Sequence, residues 1–497
     1  MTRLVGSGAK LRGLAGRIPS AGWICALVAA LSAMVWSLIV PTFQVVDEPA
    51  HVAYVQYLAE AGRPPSGERG PQARSDEQNA LMRALRYKQV EFRPDNRPLI
   101  TPRAEDRLER TLDEDASRRG EGGYTRAAGN PPLYYVLGAA AYRASPSTDL
   151  VDRIQVMRLV SALLAALTVL FIFCFLRELL PATPWAWTVG ALVVALQPVF
   201  GNLSGAVNSD NLLYTASAGM FFAFALCFRR GLTPGRGAAI GALLAIGVLA
   251  KLNTLGFLPG VGLGLILLVV RADRETRRTA IAGAAAAAIV AAIPVIAYVA
   301  LNSDVWDRGA YFSGTGGERS KPDPTTPTST GLLSYIWQFY LPRLPFMGPQ
   351  FDSYQLIHVW FDGFVGRFGV LEYGFGTAVD AAAALVYTAV AGLVGRELFR
   401  RREHVKARSL ELLTYAALAI GLLVAIHKAG YDGRSLFYEG FEQARYLFPL
   451  LPLYGAIVAI AVRGAGRFAP AAGVVLVSLA VSHGLLAYLL TLTRYYG

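Results

Sequence analysis

Two adjacent carboxylates, Asp47 and Glu48, lie in the run Phe43-Gln44-Val45-Val46-Asp47-Glu48-Pro49-Ala50-His51, directly after the first long apolar segment of the chain. Acids held between an apolar helix and a proline at a membrane edge are positioned groups, and a general base must be positioned. Further polar groups stand beside later apolar runs: Asn130 ahead of Pro131-Pro132, Asn208-Ser209-Asp210-Asn211, Lys251 with Asn253, His358, and Tyr438-Glu439 through Glu442-Gln443-Ala444-Arg445-Tyr446. The chemistry such a set supports begins with a positioned carboxylate as catalytic base, and a lysine amid apolar residues would pair with acids or a ligand phosphate. Each residue also has a plainer reading. Asn208 or Ser209 can cap the helix that Asp210 begins, Lys251 can snorkel, and Arg445 can anchor an interface. His51 and His358 belong to five histidines without metal-ligand spacing.

The elements that must carry these residues are membrane helices. Hydrophobic residues make up 54% of the 497 and charged residues 16%, with a mean hydropathy of +0.39, so the chain reads as an all-α polytopic membrane protein. Its net charge of +12 sits in short basic blocks between apolar runs, the distribution of orientation signals, which excludes nucleic acid as a partner. Cys25, Cys174 and Cys227 all fall inside apolar stretches and read as packing residues. Lys10, Arg12 and Arg17 precede an apolar run from Trp23 to Val40 that is long enough to span, so it is expected to remain as a first helix.

Eleven spans are expected, at 22–41, 155–176, 185–203, 210–228, 237–251, 254–271, 279–301, 376–398, 409–427, 445–463 and 468–491. Leu133 to Tyr142 is about half of the roughly 20 residues a span needs, which makes it a juxtamembrane or re-entrant helix. With a cytoplasmic N-terminus, the blocks at Arg177, Arg229-Arg230 with Arg236, Arg271 through Arg278, Arg396 through Arg408, and Arg463 with Arg467 all fall on the inner side. The whole chain, 1–497, then forms one transmembrane domain: a cytoplasmic N-terminus 1–21, a first extracytoplasmic loop 42–154 with juxtamembrane helices, helices 2–7 over 155–301, a second extracytoplasmic loop 302–375, and C-terminal helices over 376–497. Within the first loop Ser75 to Val90 is expected to be helical, and the dense charge from Arg103 to Arg119 predicts a mobile stretch. The threading gathers Asp47, Glu48, His51, Asn130, Asn208, Asp210, Lys251, Gln443, Arg445 and Tyr446 at the outer face. The aromatic residues Trp337, Phe339, Tyr340 and Trp360 of the second loop suit interfacial anchoring or stacking on a sugar.

The order of these motifs resembles the GT-C superfamily of membrane glycosyltransferases: an acidic pair after the first helix, a large first loop, Pro131-Pro132-Leu133-Tyr134-Tyr135 leading into a helix, an Asn-x-Asp, and a late Gln-x-Arg-Tyr. Within it, Asp47-Glu48-Pro49-x-His51, Asn130-Pro131-Pro132 and Gln443-Ala444-Arg445-Tyr446-x-x-Pro449 are most similar to a bacterial family of membrane proteins of unknown function, number 2142. The resemblance implies an inverting transferase in the bacterial plasma membrane that moves a sugar from a polyprenyl-phosphate donor to a glycan, lipid or protein acceptor on the extracytoplasmic face. It implies Asp47 as the catalytic base, with Glu48 as the substitute candidate or a supporting acid. Arg445, Lys251 and His51 would meet the donor phosphate, and Asn130, Asn208, Asp210, Gln443 and Tyr446 the substrates. No cofactor is required by it, although it leaves open a divalent cation, Mg or Mn, on Asp47 and Asp210. Many relatives carry a lysine where this chain has Asn130, and a Thr-Lys step where it has Ala250-Lys251.

Two other function classes fit a polytopic chain. A lipid or glycan transporter predicts internal repeats and charges near mid-span. A noncatalytic assembly subunit of envelope synthesis predicts that Asp47 is dispensable.

Overall fold

The computed structural model describes residues 18–67, 71–98, 101–113, 116–306, 308, 329–351, 355–433 and 442–497. Among the described residues nine helices are long and apolar enough to cross a membrane. They are Ser20–Ile39, Leu150–Leu179, Asp210–Arg230, Leu252–Arg271, Arg277–Val305, Thr377–Arg400, Ser409–Asp432, Ala444–Gly464 and Gly466–Tyr496. The chain is an all-α polytopic membrane protein whose other regular structure, among the described residues, is a two-residue strand pair, Arg367–Phe368 with Tyr373–Gly374.

The two expected spans missing from the nine have physical reasons. Residues 185–203 form Pro184–Ala195 and Pro198–Ser204, bent by 62°. Pro198 cannot continue the ladder, and the Gln197 side chain accepts the Phe200 N–H at 2.5 Å to restart it. Residues 237–251 form Pro234–Ala250, which at 17 residues falls short of a full span. It is nevertheless firmly packed, because Gly237 and Gly241 let its backbone press on Arg277–Ala300. A Cβ on Gly241 would stand 2.2 Å from the Ala287 carbonyl oxygen.

The first loop is more ordered than its composition suggests. It holds Glu48–Ala61, Asp76–Ala84, Pro102–Asp113 and Leu133–Ala144. Ser75 caps the second of these by accepting the Gln78 N–H at 3.0 Å. The Arg103 to Arg119 stretch, expected to be mobile, carries the Pro102–Asp113 helix, whose repeated charges occupy exposed faces. A distinct apolar core of Tyr54, Tyr134, Tyr135, Tyr142, Ile154 and Met157 fastens these helices to Leu150–Leu179. That core is what makes the loop a platform.

The ends of the bundle differ in charge. Asp210–Arg230 is 21 residues long, about 30 Å, with the polar motif at its start and Arg229 and Arg230 at its finish. At that finish both arginines pair with Glu178, at 3.2 and 2.7 Å, and Arg408 pairs with Glu411 at 2.7 Å.

Candidate active site

The site begins with a strained turn. Between the first span and Glu48–Ala61, Phe43 and Asp47 both take left-handed backbone, with φ of 71° and 62°. Aspartate tolerates that region, whereas for phenylalanine it is an outlier of the kind costing on the order of 1–3 kcal/mol. Glu48 holds the turn. Its carboxylate accepts the Phe43 N–H at 2.9 Å and the Val207 N–H at 3.1 Å, and takes both Nε and Nη2 of Arg158 at 2.7 Å. Arg158 donates onward to the carbonyls of Ser37 at 2.8 Å and Val40 at 3.1 Å, and neither charged side chain has any exposure. Glu48, expected as the substitute for Asp47 or a supporting acid, is placed as a supporting clamp whose oxygens are already committed. Arg158 is a site residue outside the motifs, and its sequence signal is an arginine well inside Leu150–Leu179, deeper than Arg153 and Arg177 near the helix ends, a position that demands a partner.

Asp47 faces the other way. Its Oδ2 accepts from Arg445 Nη2 at 2.5 Å across 398 residues of sequence. Arg445 Nη1 stands 3.8 Å from Asp210 Oδ2, and Lys251 Nζ pairs with Asp210 Oδ1. Acid and cation thus alternate: Asp47, Arg445, Asp210, Lys251. The Tyr446 ring lies under both cations, 5.2 Å from the Arg445 guanidinium and 5.3 Å from Lys251 Nζ. Asp47 keeps 27% of its side chain exposed while Asp210 keeps 2%, so Asp47 is the carboxylate a substrate can reach.

Asn208 proves to be the cap that the plainer reading proposed, its Oδ1 accepting the Asp210 N–H at 2.9 Å. Its own N–H donates to Tyr134 Oη at 2.9 Å, and Tyr214 Oη donates to the Arg445 carbonyl at 3.2 Å. Backbone is thereby fixed on both sides of the charge alternation. Asn208 Nδ2, Gln443 Oε1 and Arg445 Nε are buried without a hydrogen-bond partner, and Arg445 Nη1 and Asp210 Oδ2 meet only as the 3.8 Å ion pair. A buried polar atom without a hydrogen bond costs about 1–3 kcal/mol, so these atoms are ready to receive a polar ligand.

His51 belongs to a neighbouring network. Asn130 Nδ2 donates to Tyr135 Oη at 2.9 Å, and His51 Nδ1 lies 2.8 Å from the same oxygen. Burial pushes His51 down to about 4, against the opposing pull of Asp47. It is neutral at physiological pH, so the donor-phosphate contact expected of it would be a hydrogen bond without charge. Burial alone would raise Asp47, but Arg445, with Lys251 beyond it, holds its carboxyl well below the usual range. The signs follow from linkage. His51 binds its proton more readily unfolded, so stability falls as pH drops from about 6.5 towards 4; Asp47 adds a further loss below about 3.9. Chemical unfolding between pH 7 and 4 should show the first slope, and His51→Gln should flatten it.

Other expected residues lie elsewhere. Phe339 and Trp360 are buried around His427, which bonds to Tyr340 Oη at 2.8 Å and Glu442 at 3.2 Å, so they pack a separate polar cluster instead of lining the charge alternation. Trp337 is 37% exposed, and its indole donates to the Pro342 carbonyl at 2.9 Å. His358 is exposed and faces Asp362 at 3.4 Å. Tyr438 and Glu439 lie outside the described residues. As metal ligands Asp47 and Asp210 fit poorly: each is held by a cation, and among the described residues no three His, Cys, Asp or Glu side chains converge.

A family model described as "Predicted membrane protein (DUF2142)" matches residues 30–454. A comparison with curated proteins gives no match. Among solved structures, the fold is similar to ArnT from Cupriavidus metallidurans bound to undecaprenyl phosphate, at 14% identity and TM-score 0.49, covering 94% of this chain and 65% of that one. It is also similar to the Archaeoglobus fulgidus oligosaccharyltransferase in the apo form, at 13% identity and TM-score 0.47, covering 95% of this chain and 56% of that one. AglB from the same organism, in complex with an inhibitory peptide and a dolichol-phosphate, gives 14% identity, TM-score 0.48 and the same coverages. The chain spans 56 to 65% of the length of these structures.

Proposed function

This chain belongs to the DUF2142 family of predicted membrane proteins, and from the cluster it builds we propose that it is a membrane glycosyltransferase taking a sugar from a polyprenyl-phosphate donor to a glycan, lipid or protein acceptor. The observation that carries the reading is the alternation of Asp47, Arg445, Asp210 and Lys251, with its one accessible carboxylate. In the proposed step the acceptor hydroxyl attacks the anomeric carbon. The new C–O bond forms as the bond from that carbon to the phosphate oxygen breaks. Asp47 receives the hydroxyl proton, and the lipid phosphate leaves with the bonding electrons. Attack on the face opposite the phosphate inverts the sugar.

A carboxylate locked to arginine is a weak base, so the resting pair has to be loosened. A donor phosphate supplies the means, because it competes with Asp47 for the Arg445 fork. As Arg445 turns to the phosphate, Asp47 loses the cation that depresses it and regains proton affinity. Base strength then rises only when donor is in place. Asp210 keeps Arg445 and Lys251 within the site during the exchange, Asn208 Nδ2 and Gln443 Oε1 offer hydrogen bonds to sugar hydroxyls, and Tyr446 gives a face beneath the cations. Asn130 acts through Tyr135 to fix His51. We place the site on the extracytoplasmic side of the plasma membrane, since the basic helix ends lie at the opposite end of the bundle. Passage of substrate through the bundle is less well supported, because the charges gather at the start of Asp210–Arg230 and not at mid-span.

The test is transfer from a labelled polyprenyl-phosphate sugar in membranes. Lys251→Gln should raise the donor KM roughly tenfold or more, the cost of a charge-assisted hydrogen bond, with a smaller change in kcat. Lys251→Arg should restore most of it. Unchanged donor KM in Lys251→Gln would remove Lys251 from the phosphate site.

A further inference from the structure

At the far end of the bundle from Asp47 a cleft of about 560 Å³ opens between four helix ends. It is lined by Thr183 and Trp185, by Arg400 and Arg401, and by Arg463, with the backbone of Gly466 and Ala469 as its floor. Three arginines face it against one carboxylate, Glu397, which holds Arg401 at 2.7 Å and Arg463 at 3.2 Å. Glu397 is 9% exposed and Arg463 13%, so this pair forms the inner wall of the cleft, with Arg401, 52% exposed, outside it. Arg400 has no carboxylate partner among the described residues. Gly466 takes left-handed backbone, φ 63°, and its turn brings the chain so near that a Cβ there would stand 3.9 Å from Arg400 Nη1 and 3.7 Å from Arg396 Nη2.

Two helices also start at this cleft. Pro184–Ala195 follows Thr183, and Ala469–Tyr496 follows Phe468, neither with a side-chain cap. Each start brings the positive end of its helix dipole to the cleft. Basic helix ends are general in membrane proteins, and most are solvated charge. Here a cavity, an arginine without a carboxylate partner and two helix starts coincide, and Trp185, 39% exposed, marks the cleft as lying at a membrane interface.

We propose that this cleft binds an anionic phospholipid headgroup through its phosphate. The phosphate oxygens meet Arg400 and Arg463 as forks in the field of the two helix starts, while the acyl chains lie along the exposed apolar side of Thr377–Arg400. The site is separate from the transferase cluster, so its test does not depend on that reading. The full-length protein is placed in phosphatidylcholine nanodiscs with and without phosphatidylglycerol, and thermal unfolding and bound phosphatidylglycerol are measured. Phosphatidylglycerol should raise the unfolding midpoint, and Arg400→Gln and Arg463→Gln should each weaken its binding about fivefold, the effect of one arginine near an anionic lipid. Arg463→Lys should bind more tightly than Arg463→Gln. Arg274→Gln, which removes a charge from another basic connection, should leave binding unchanged. The proposal is overturned if Arg274→Gln weakens binding as much as Arg400→Gln, since the effect is then diffuse charge. It also falls if inorganic phosphate alone gives the full stabilisation in phosphatidylcholine, or if neither probe stabilises the protein.

Discussion

Asp47→Asn should lower sugar transfer by about 10²–10⁴-fold, the range for loss of a positioned general base, while the protein still inserts and still binds donor. Asparagine keeps the size of the side chain and can still accept from Arg445, so the cluster need not collapse. What it loses is the capacity to take the hydroxyl proton. Donor affinity should hold or improve, because the resting protein no longer competes with the phosphate for the Arg445 fork. That divergence, kcat down with donor binding preserved, separates a base from a residue that only shapes the site. Asp47→Glu should retain part of the activity, since a carboxylate remains but is displaced by one methylene. Full transfer by Asp47→Asn would sink the base assignment, and the case for an enzyme would weaken with it.

The bundle was legible because apolar length and basic blocks act through the bilayer, which reads composition directly. Each expected span corresponds to helical structure, and the exceptions trace to local causes such as Pro198 and the short Pro234–Ala250. The charge alternation was half legible. Asp47, Asp210, Lys251 and Arg445 could be gathered at one end of the bundle from the threading alone, but which acid meets which cation depends on packing between segments far apart in sequence. Glu48 shows the limit most plainly. It neighbours Asp47 in the chain, yet helix geometry sends consecutive side chains in different directions, and its partner is 110 residues away. The charge state of His51 is likewise illegible, since it is set by burial, which a short motif does not show.

The Glu48–Arg158 pair carries the largest expected effect on stability. Arg158→Met should destabilise the protein by about 3–5 kcal/mol, because it strands a fully buried carboxylate, and Glu48→Leu should do so by a similar amount by stranding the guanidinium. The double variant removes both charges and should recover part of the loss. Recovery stays partial, since the N–H groups of Phe43 and Val207 and the carbonyls of Ser37 and Val40 also lose their partners. A double-mutant cycle by chemical unfolding in mixed micelles measures the coupling, which for residues in direct contact is expected at about 0.5–3 kcal/mol. Activity gives the second readout. The clamp holds Phe43 and Asp47 in left-handed backbone, so weakening it both lowers stability and releases the turn that delivers Asp47. Glu48→Gln keeps the shape of the side chain and exchanges one acceptor for a donor facing Arg158. It should reduce the folded fraction strongly, while transfer per folded molecule falls far less than in Asp47→Asn. The opposite pattern, unaltered unfolding with transfer lost as completely as in Asp47→Asn, would give the catalytic role to Glu48.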